Sequence, residues 1–221
     1  MYTKLFFLII FNPFYMCTRH VSRVVAGLLL IGFAAPANCQ LISTNSMQQQ
    51  NYTATRDGKT VGWLRIISYQ NGDEKSLSIE SQLTIWMLLS FEAKALTVNK
   101  FKGSTLIKAA VCRTLNGKQK LNNEVQLIEG KYKIIRGDAE LSVTSTIHHT
   151  VASLYFAEPV GVSEVFSEVY LCFVPLKKVA NAAYASQLPD GGSMTYYYRL
   201  GKLTSITAST SYGIVFFQLN P

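Results

Sequence analysis

This sequence is poor in the residue types that most enzymes use for chemistry. It has only three histidines and four cysteines in 221 residues, and its 13 acidic residues are outnumbered by 21 basic ones. No glycine-rich dinucleotide or phosphate loop of the G-x-G-x-x-G or G-x-x-x-x-G-K-[ST] type occurs. The nearest match to a nucleophile elbow, Gly161 to Val165, lacks the second glycine. We therefore expect a protein that is not an enzyme and that has no cofactor.

Cysteine and histidine are too scarce to define a disulfide framework or a metal site. Cys112 and Cys172 each lie in strand-like apolar surroundings. They can form one disulfide in an oxidising compartment, or both can be buried thiols. His148 and His149 would point to opposite faces of a strand, so they are only a weak alternative for metal binding. We expect no metal.

The N-terminal 39 residues have the pattern of a secretory signal peptide. A basic stretch is followed by the apolar run of residues 24–35 and then by small residues before Gln40. Cys39 raises the alternative of a lipoprotein, but Asn38 fits that signal badly. Simple cleavage is therefore favoured over lipidation at Cys39, and the protein is expected in the periplasm or outer envelope of a Gram-negative bacterium.

The start of the chain has a second short apolar run before Met16, which suggests an over-extended start with the true one near Met16. Cleavage after Cys39 removes Lys4, Arg19 and Arg23, so the net charge falls from +8 to +5. The remaining basic residues are spread along the chain, which is typical of a solvated cationic surface. Attraction to anionic envelope lipid or polysaccharide is the alternative. Export and the lack of a dense basic stripe argue against nucleic-acid binding.

The sequence from residue 51 onward predicts an antiparallel meander. Short strand-like runs alternate with turn signals, and Asn-Gly and Asp-Gly pairs supply the positive φ angles that tight hairpins require. The turn signals lie at residues 57–59, 71–73, 116–118, 129–131, 136–138, 189–192 and 200–202. We interpret the Arg-Gly-Asp triplet, Arg136 to Asp138, as a hairpin turn rather than an adhesion motif.

The pattern predicts an all-β fold with at most one or two short helices. Leu77 to Ile85 alternates apolar and polar residues, whereas Gly213 to Leu219 is apolar on both faces and should lie centrally in a sheet. The best helical candidate is His149 to Phe156. We expect one β domain over residues 51–221, preceded by a flexible lead-in at residues 40–50.

Three glutamates lie close together in the segment 153–170. Paired carboxylates can hydrolyse glycosides, so Glu158, Glu164 and Glu168 are the residues that a hydrolase would use. No acid–base partner pattern accompanies them, and Val165 and Phe166 indicate a strand rather than a helix. We favour a structural corner, with a ligand mouth as the next alternative and a catalytic loop as the last.

The order of these segments resembles a family of small exported β-rich proteins of unknown function from Bacteroidetes-type bacteria. The most specific part is "LYFAEPVGVSEVFSEVY", residues 154–170, and the resemblance covers essentially the whole mature chain. It also includes the segments "DGKTVGWLRI", "FKGSTLIKAAVCRTLNGK", "LPDGGSMTYYYRLGKLTSI" and "GIVFFQL". The family has no assigned activity, so it supplies no catalytic residues.

The resemblance implies a curved antiparallel sheet, a half-barrel or an open barrel, by analogy with envelope proteins that carry lipid in an apolar concavity. We therefore expect a non-enzymatic binding or carrier module for a lipid-like or other hydrophobic small molecule. The alternative is a structural protein that meets another envelope protein, and the oligomeric state stays open. The residues expected to bind ligand or to fix the loop are Tyr155, Phe156, Glu158, Phe166 and Glu168.

Overall fold

The computed structural model describes residues 46–86, 90–137, 141, 143, 145–210 and 213–221. The expected signal peptide, residues 1–39, and the candidate start and cleavage sites therefore lie outside the described residues. Residues 46–50, which we expected in a flexible lead-in, belong to the first strand and pair with the second.

The all-β prediction is confirmed. Thirteen strands and one short 3₁₀ helix, Ala152–Tyr155, make up the regular structure of the described residues. The strands are β1 (Ser46–Arg56), β2 (Lys59–Asn71), β3 (Glu74–Trp86), β4 (Ser90–Lys102), β5 (Thr105–Leu115), β6 (Lys118–Ile128), β7 (Lys131–Arg136), β8 (Glu164–Ser167), β9 (Cys172–Ala180), β10 (Ala183–Gln187), β11 (Ser193–Arg199), β12 (Lys202–Thr210) and β13 (Gly213–Leu219).

All thirteen strands belong to one open, curved antiparallel sheet. Its order is β7-β6-β5-β4-β3-β2-β1-β13-β12-β11-β10-β9-β8. The first and last strands thus meet at the centre, where Tyr52 pairs with Leu219 and Thr55 with Phe216. Consecutive strands β7 and β8 lie at opposite edges, so the chain between them must pass from one edge to the other. We call residues 145–171, which include the 3₁₀ helix and β8, the crossing segment.

Tight turns connect most neighbouring strands, as the glycine pattern predicts. Asp57 and Gly58 both have positive φ angles, 50° and 74°, and the pair Asn116-Gly117 has 49° and 75°. Two successive positive φ angles define the turn type that matches the twist of a hairpin. The hairpin expected at Arg136 to Asp138 is wrong among the described strands, because β7 ends at Arg136 on the sheet edge and the next described strand, β8, is not its neighbour. Asp138 itself lies outside the described residues.

The inner face of the sheet holds two clusters of buried apolar side chains. The larger cluster joins the central strands to the 3₁₀ helix, with Tyr52, Leu64 and Tyr196 among its members. The smaller one lies where β3 to β6 meet the crossing segment, and it includes Leu106 and Phe166. The crossing segment therefore packs into the concavity of the sheet, and the predicted helix within it is shortened to Ala152–Tyr155.

The outer face is largely polar but carries one buried carboxylate. Glu124 of β6 is bound by Lys108 at 2.5 Å, by Arg136 and by the Gln126 amide at 2.8 Å. These hydrogen bonds, the one from Lys108 first, lower the pKa of Glu124 to about 2. The cluster holds β5, β6 and β7 together, and all four residues already have partners.

Candidate ligand-binding face

A buried polar network attaches the crossing segment to the inner face of the sheet. The side chain of Asn99 on β4 donates to Glu168 Oε1 at 2.5 Å and to Thr150 Oγ1 at 2.8 Å. Glu168 Oε1 also accepts the backbone N–H of Ala152 at 3.1 Å, at the start of the 3₁₀ helix. Asn99, Thr150 and Glu168 are each at most 3% exposed. One carboxylate thus joins the helix, the strand-like segment before it and the sheet.

Glu168 is in an unusual environment for a carboxylate. Its burial raises its pKa above the ordinary value of 4.5, and the hydrogen bonds from its own backbone, Asn99, Ala152 and Thr150 oppose that shift only in part. Burial disfavours the charged form because the carboxylate loses its water. No Lys or Arg forms an ion pair with it among the described residues.

A second asparagine extends this network along the inner face. Asn123 of β6 donates to the carbonyl oxygen of Val169 at 2.9 Å and more weakly to that of Glu168 at 3.3 Å. It therefore fixes the backbone that follows β8. The Asn99 Oδ1 atom is buried and has no hydrogen-bond partner among the described residues.

The three candidate glutamates occupy different environments. Glu158 accepts a hydrogen bond from the Tyr184 hydroxyl at 3.0 Å, Glu164 is exposed at the start of β8, and Glu168 is buried. None of the three hydrogen-bonds to another in the structure.

The candidate aromatic residues of the crossing segment fill the concavity. Phe166 is fully buried and contacts Phe173 edge-to-face, with ring centroids 5.9 Å apart. Tyr155 is 8% exposed and contacts Tyr196 in the same manner at 5.8 Å. Phe156 lies between the two clusters, where the ammonium of Lys75 is 5.8 Å from its ring centroid.

The candidate metal and disulfide residues lie at three places in the fold. His148 Nδ1 is 3.1 Å from the Ser104 carbonyl oxygen, and both histidines are exposed. Within the described ranges, no three residues of the His, Cys, Asp or Glu types are close enough to hold a metal ion. No disulfide joins Cys112 on β5, which is half-buried, to Cys172 on β9, which is buried.

The crossing segment covers only part of the inner face. Along β3, Leu77 and Ile79 are buried, whereas Ser81, Leu83 and Ile85 on the same face are half-buried. Strand pairing places Ala95 beside Ser81, Ala93 beside Leu83 and Phe91 beside Ile85 on β4. Burial therefore decreases in successive rows across two neighbouring strands toward one end of the sheet.

Small side chains form the floor of this less covered region. Thr97, Ala95 and Ala93 are three successive inward-facing residues of β4, and all are half-buried. Bulkier residues flank them, with Leu83 on β3 and Leu115 on β5. We call this strip of β4 and its flanking side chains the trough. The backbones of β3 and β5 are two strand spacings apart, about 10 Å.

One arginine lies on the inner face beside the trough. Arg113 pairs with Ala95 in the sheet, is half-buried, and has no hydrogen bond or ion pair with any described residue. Its positive charge partly offsets the effect of burial, which raises the pKa of Tyr155 to about 12. Burial and the Asp190 carboxylate raise the pKa of Tyr170, and the charge of Arg113 partly offsets that rise as well. Arg113 thus lies within electrostatic range of Tyr155 and Tyr170.

Arg113, Asn99 and Asn123 were not among the residues proposed from the sequence. The signal that could have found them is a polar residue at an inward position of an alternating strand. Asn99 follows Thr97 and precedes Phe101 at spacing two, and Arg113 follows Ala109 and Val111 at the same spacing. A bulge between Lys100 and Phe101 in the β4–β5 pairing makes such assignments uncertain from sequence, since it changes which residues share a face.

The fold and this face define an all-β protein with an open, curved antiparallel sheet whose concavity is partly filled by its own crossing segment. The chain belongs to the DUF6134 family, a domain of unknown function, whose family model matches residues 52–220. No curated protein matches the sequence.

Among solved structures, the chain is similar to a beta-barrel-like protein of the domain of unknown function DUF1849 from Brucella abortus. The TM-score is 0.45 at 9% identity, over 80% of this chain and 95% of that one. Within the described residues, no helix is long and apolar enough to cross a membrane.

Proposed function

We propose that this protein is an exported, non-enzymatic carrier or binding module for a hydrophobic, lipid-like ligand, and that the ligand binds in the trough. The observation behind the proposal is the decrease in burial along β3 and β4 over a floor of small side chains. Apolar surface that is concave and only partly covered is the usual setting for small hydrophobic ligands. The periplasm or outer envelope of a Bacteroidetes-type bacterium is the proposed compartment.

Native mass spectrometry tests this proposal on the full chain, expressed in an export-competent bacterial host and purified without detergent. We expect extra mass that is released as lipid on denaturation, or that is regained when the bare protein is incubated with hexadecan-1-ol. A bare mass with no uptake would contradict the carrier function.

A pair of neighbouring substitutions locates the ligand. Ala95→Trp places an indole on the trough floor, whereas Leu96→Trp places one on the outer face, where Leu96 is already 44% exposed. We expect Ala95→Trp to abolish uptake and Leu96→Trp to leave it unchanged, with circular dichroism as the check on folding. Equal uptake by both variants would place the ligand elsewhere.

The second candidate function is a structural or interaction role in the envelope. Among the described strands, β7 lies at the sheet edge and pairs with β6 alone, and its residue Ile135 is 46% exposed. An uncovered edge strand can accept a strand from a partner protein. Co-purification of an envelope protein that is lost on Ile135→Lys, with the protein itself free of lipid, would favour this function over the carrier.

A further inference from the structure

We propose that Arg113 selects an amphiphile with a carboxylate head group, so that the ligand of the trough is a long-chain fatty acid. This inference rests on the proposed carrier function and adds the ligand class. Its basis is a half-buried arginine that lies on the inner face beside the trough and lacks any hydrogen bond or ion pair with the described residues.

Within the described part of the chain, no residue accepts a hydrogen bond from the Arg113 guanidinium. Arginine carries five N–H donors in a planar fork that matches the two oxygens of a carboxylate. By contrast, Arg136 is bound to Glu124 and Arg56 lies 3.5 Å from Asp57. A half-buried charge without a partner is costly, and an anionic ligand would remove that cost.

The surroundings of Arg113 suit a head group of small bulk. The neighbours Ala95 and Ser81 in the same row leave room for a small head group.

The rest of the trough fits a hydrocarbon chain that runs away from Arg113. From the row of Ala95, the inner face continues through Ala93 and Leu83 to Phe91 and Ile85. Four residues of strand correspond to about 14 Å. In the other direction the face is closed by the buried Asn99 and Glu168. A fatty acid would therefore lie with its carboxylate at Arg113 and its tail toward the open end of the sheet.

Titration calorimetry with two ligands of equal chain length tests the inference. The probes are sodium hexadecanoate below its micelle concentration and the uncharged hexadecan-1-ol. For Arg113→Gln we expect hexadecanoate affinity to fall about 10- to 100-fold, as for the loss of a charge-assisted hydrogen bond, while hexadecanol affinity stays the same. Arg113→Lys should retain an intermediate affinity, because it keeps the charge and loses the fork.

Arg65→Gln is the matched control, since Arg65 lies on the outer face, 45% exposed, beside Glu80. It should bind both probes as the wild type does. If Arg113→Gln binds both probes as tightly as the wild type, the head-group inference is refuted and the carrier function stands. If the wild type binds neither probe, both are refuted. If Arg113-dependent binding occurs only on phosphatidylglycerol vesicles, the ligand is a membrane head group and the fatty-acid assignment is overturned.

Discussion

The buried carboxylate of Glu168 makes the stability of this protein depend on pH in a predictable direction. The perturbation is Glu168→Gln, which keeps an oxygen acceptor for Asn99 and for the Ala152 N–H but has no proton to lose. Because burial raises the pKa of Glu168 in the folded state, the folded chain binds its proton more tightly than the unfolded chain. The folded protein should therefore lose stability as pH rises above the unfolded pKa.

The size of this effect follows from proton linkage. Below about pH 4.5, Glu168 is protonated in both states and its contribution is fully present. As pH rises toward the folded pKa, the free energy of unfolding falls by up to about 1.4 kcal/mol per pH unit for one proton. The difference between wild type and Glu168→Gln should therefore shift against the wild type as pH rises from 5 to 7, by no more than about 1.4 kcal/mol per pH unit.

Urea unfolding at constant ionic strength measures this difference, with tryptophan fluorescence as the signal. The control is Glu164→Gln, because Glu164 is exposed and lies only four residues away. That variant should follow the wild type at every pH above 5. Parallel pH profiles for the wild type and Glu168→Gln would refute the reasoning, since they would mean that Glu168 titrates alike in the folded and unfolded states.

Two further predictions concern packing and close backbone approach. Phe166→Ala should lower the free energy of unfolding by about 3–5 kcal/mol because Phe166 is fully buried. Phe216 is 48% exposed, so Phe216→Ala should lower it by less than about 1 kcal/mol. Similar losses for both variants in urea unfolding would contradict the packing of the crossing segment into the concavity of the sheet. Gly62→Ala should lower the free energy of unfolding by more than about 2 kcal/mol, because the new Cβ would lie 2.0 Å from the Gln82 carbonyl oxygen. The Cβ of Gly58→Ala meets no atom within 4 Å, so that variant should lose only about 1 kcal/mol, through its positive φ. A smaller loss for Gly62→Ala than for Gly58→Ala in thermal unfolding would refute this.

Local sequence signals were sufficient to predict the fold class and most hairpins. Asp57-Gly58 and Asn116-Gly117 are chemically suited to positive φ angles, and each forms a two-residue turn. The turn at Asn181-Ala182 was missed because Ala182 adopts a φ of 52° without a glycine. The sequence also could not show that β7 lies at one edge of the sheet and ends at Arg136. Strand pairs between residues distant in the chain leave no local pattern.

The candidate site was harder to predict because it depends on which residues share a face. Glu168 was expected to hold the loop through backbone, and it does accept the Ala152 N–H. Its contact with Asn99, however, spans 69 residues of sequence. Arg113 was not proposed because a lone arginine in a strand is normally solvent-facing. Its inward position became visible only through its pairing with Ala95 and Leu121.

The pairing of β1 with β13 makes the protein divisible into two halves. Strands β1 to β7 form one uninterrupted series of hairpins, and β8 to β13 form another. A nick between Gly137 and Ile147 would break none of the described strand pairs, because the two halves are joined within the sheet only at that central seam. Each half could therefore be produced as a separate polypeptide. Their reassociation would then report on the seam together with the buried contacts that Asn99 and Asn123 make with the second half, which makes this fold a scaffold for a split protein.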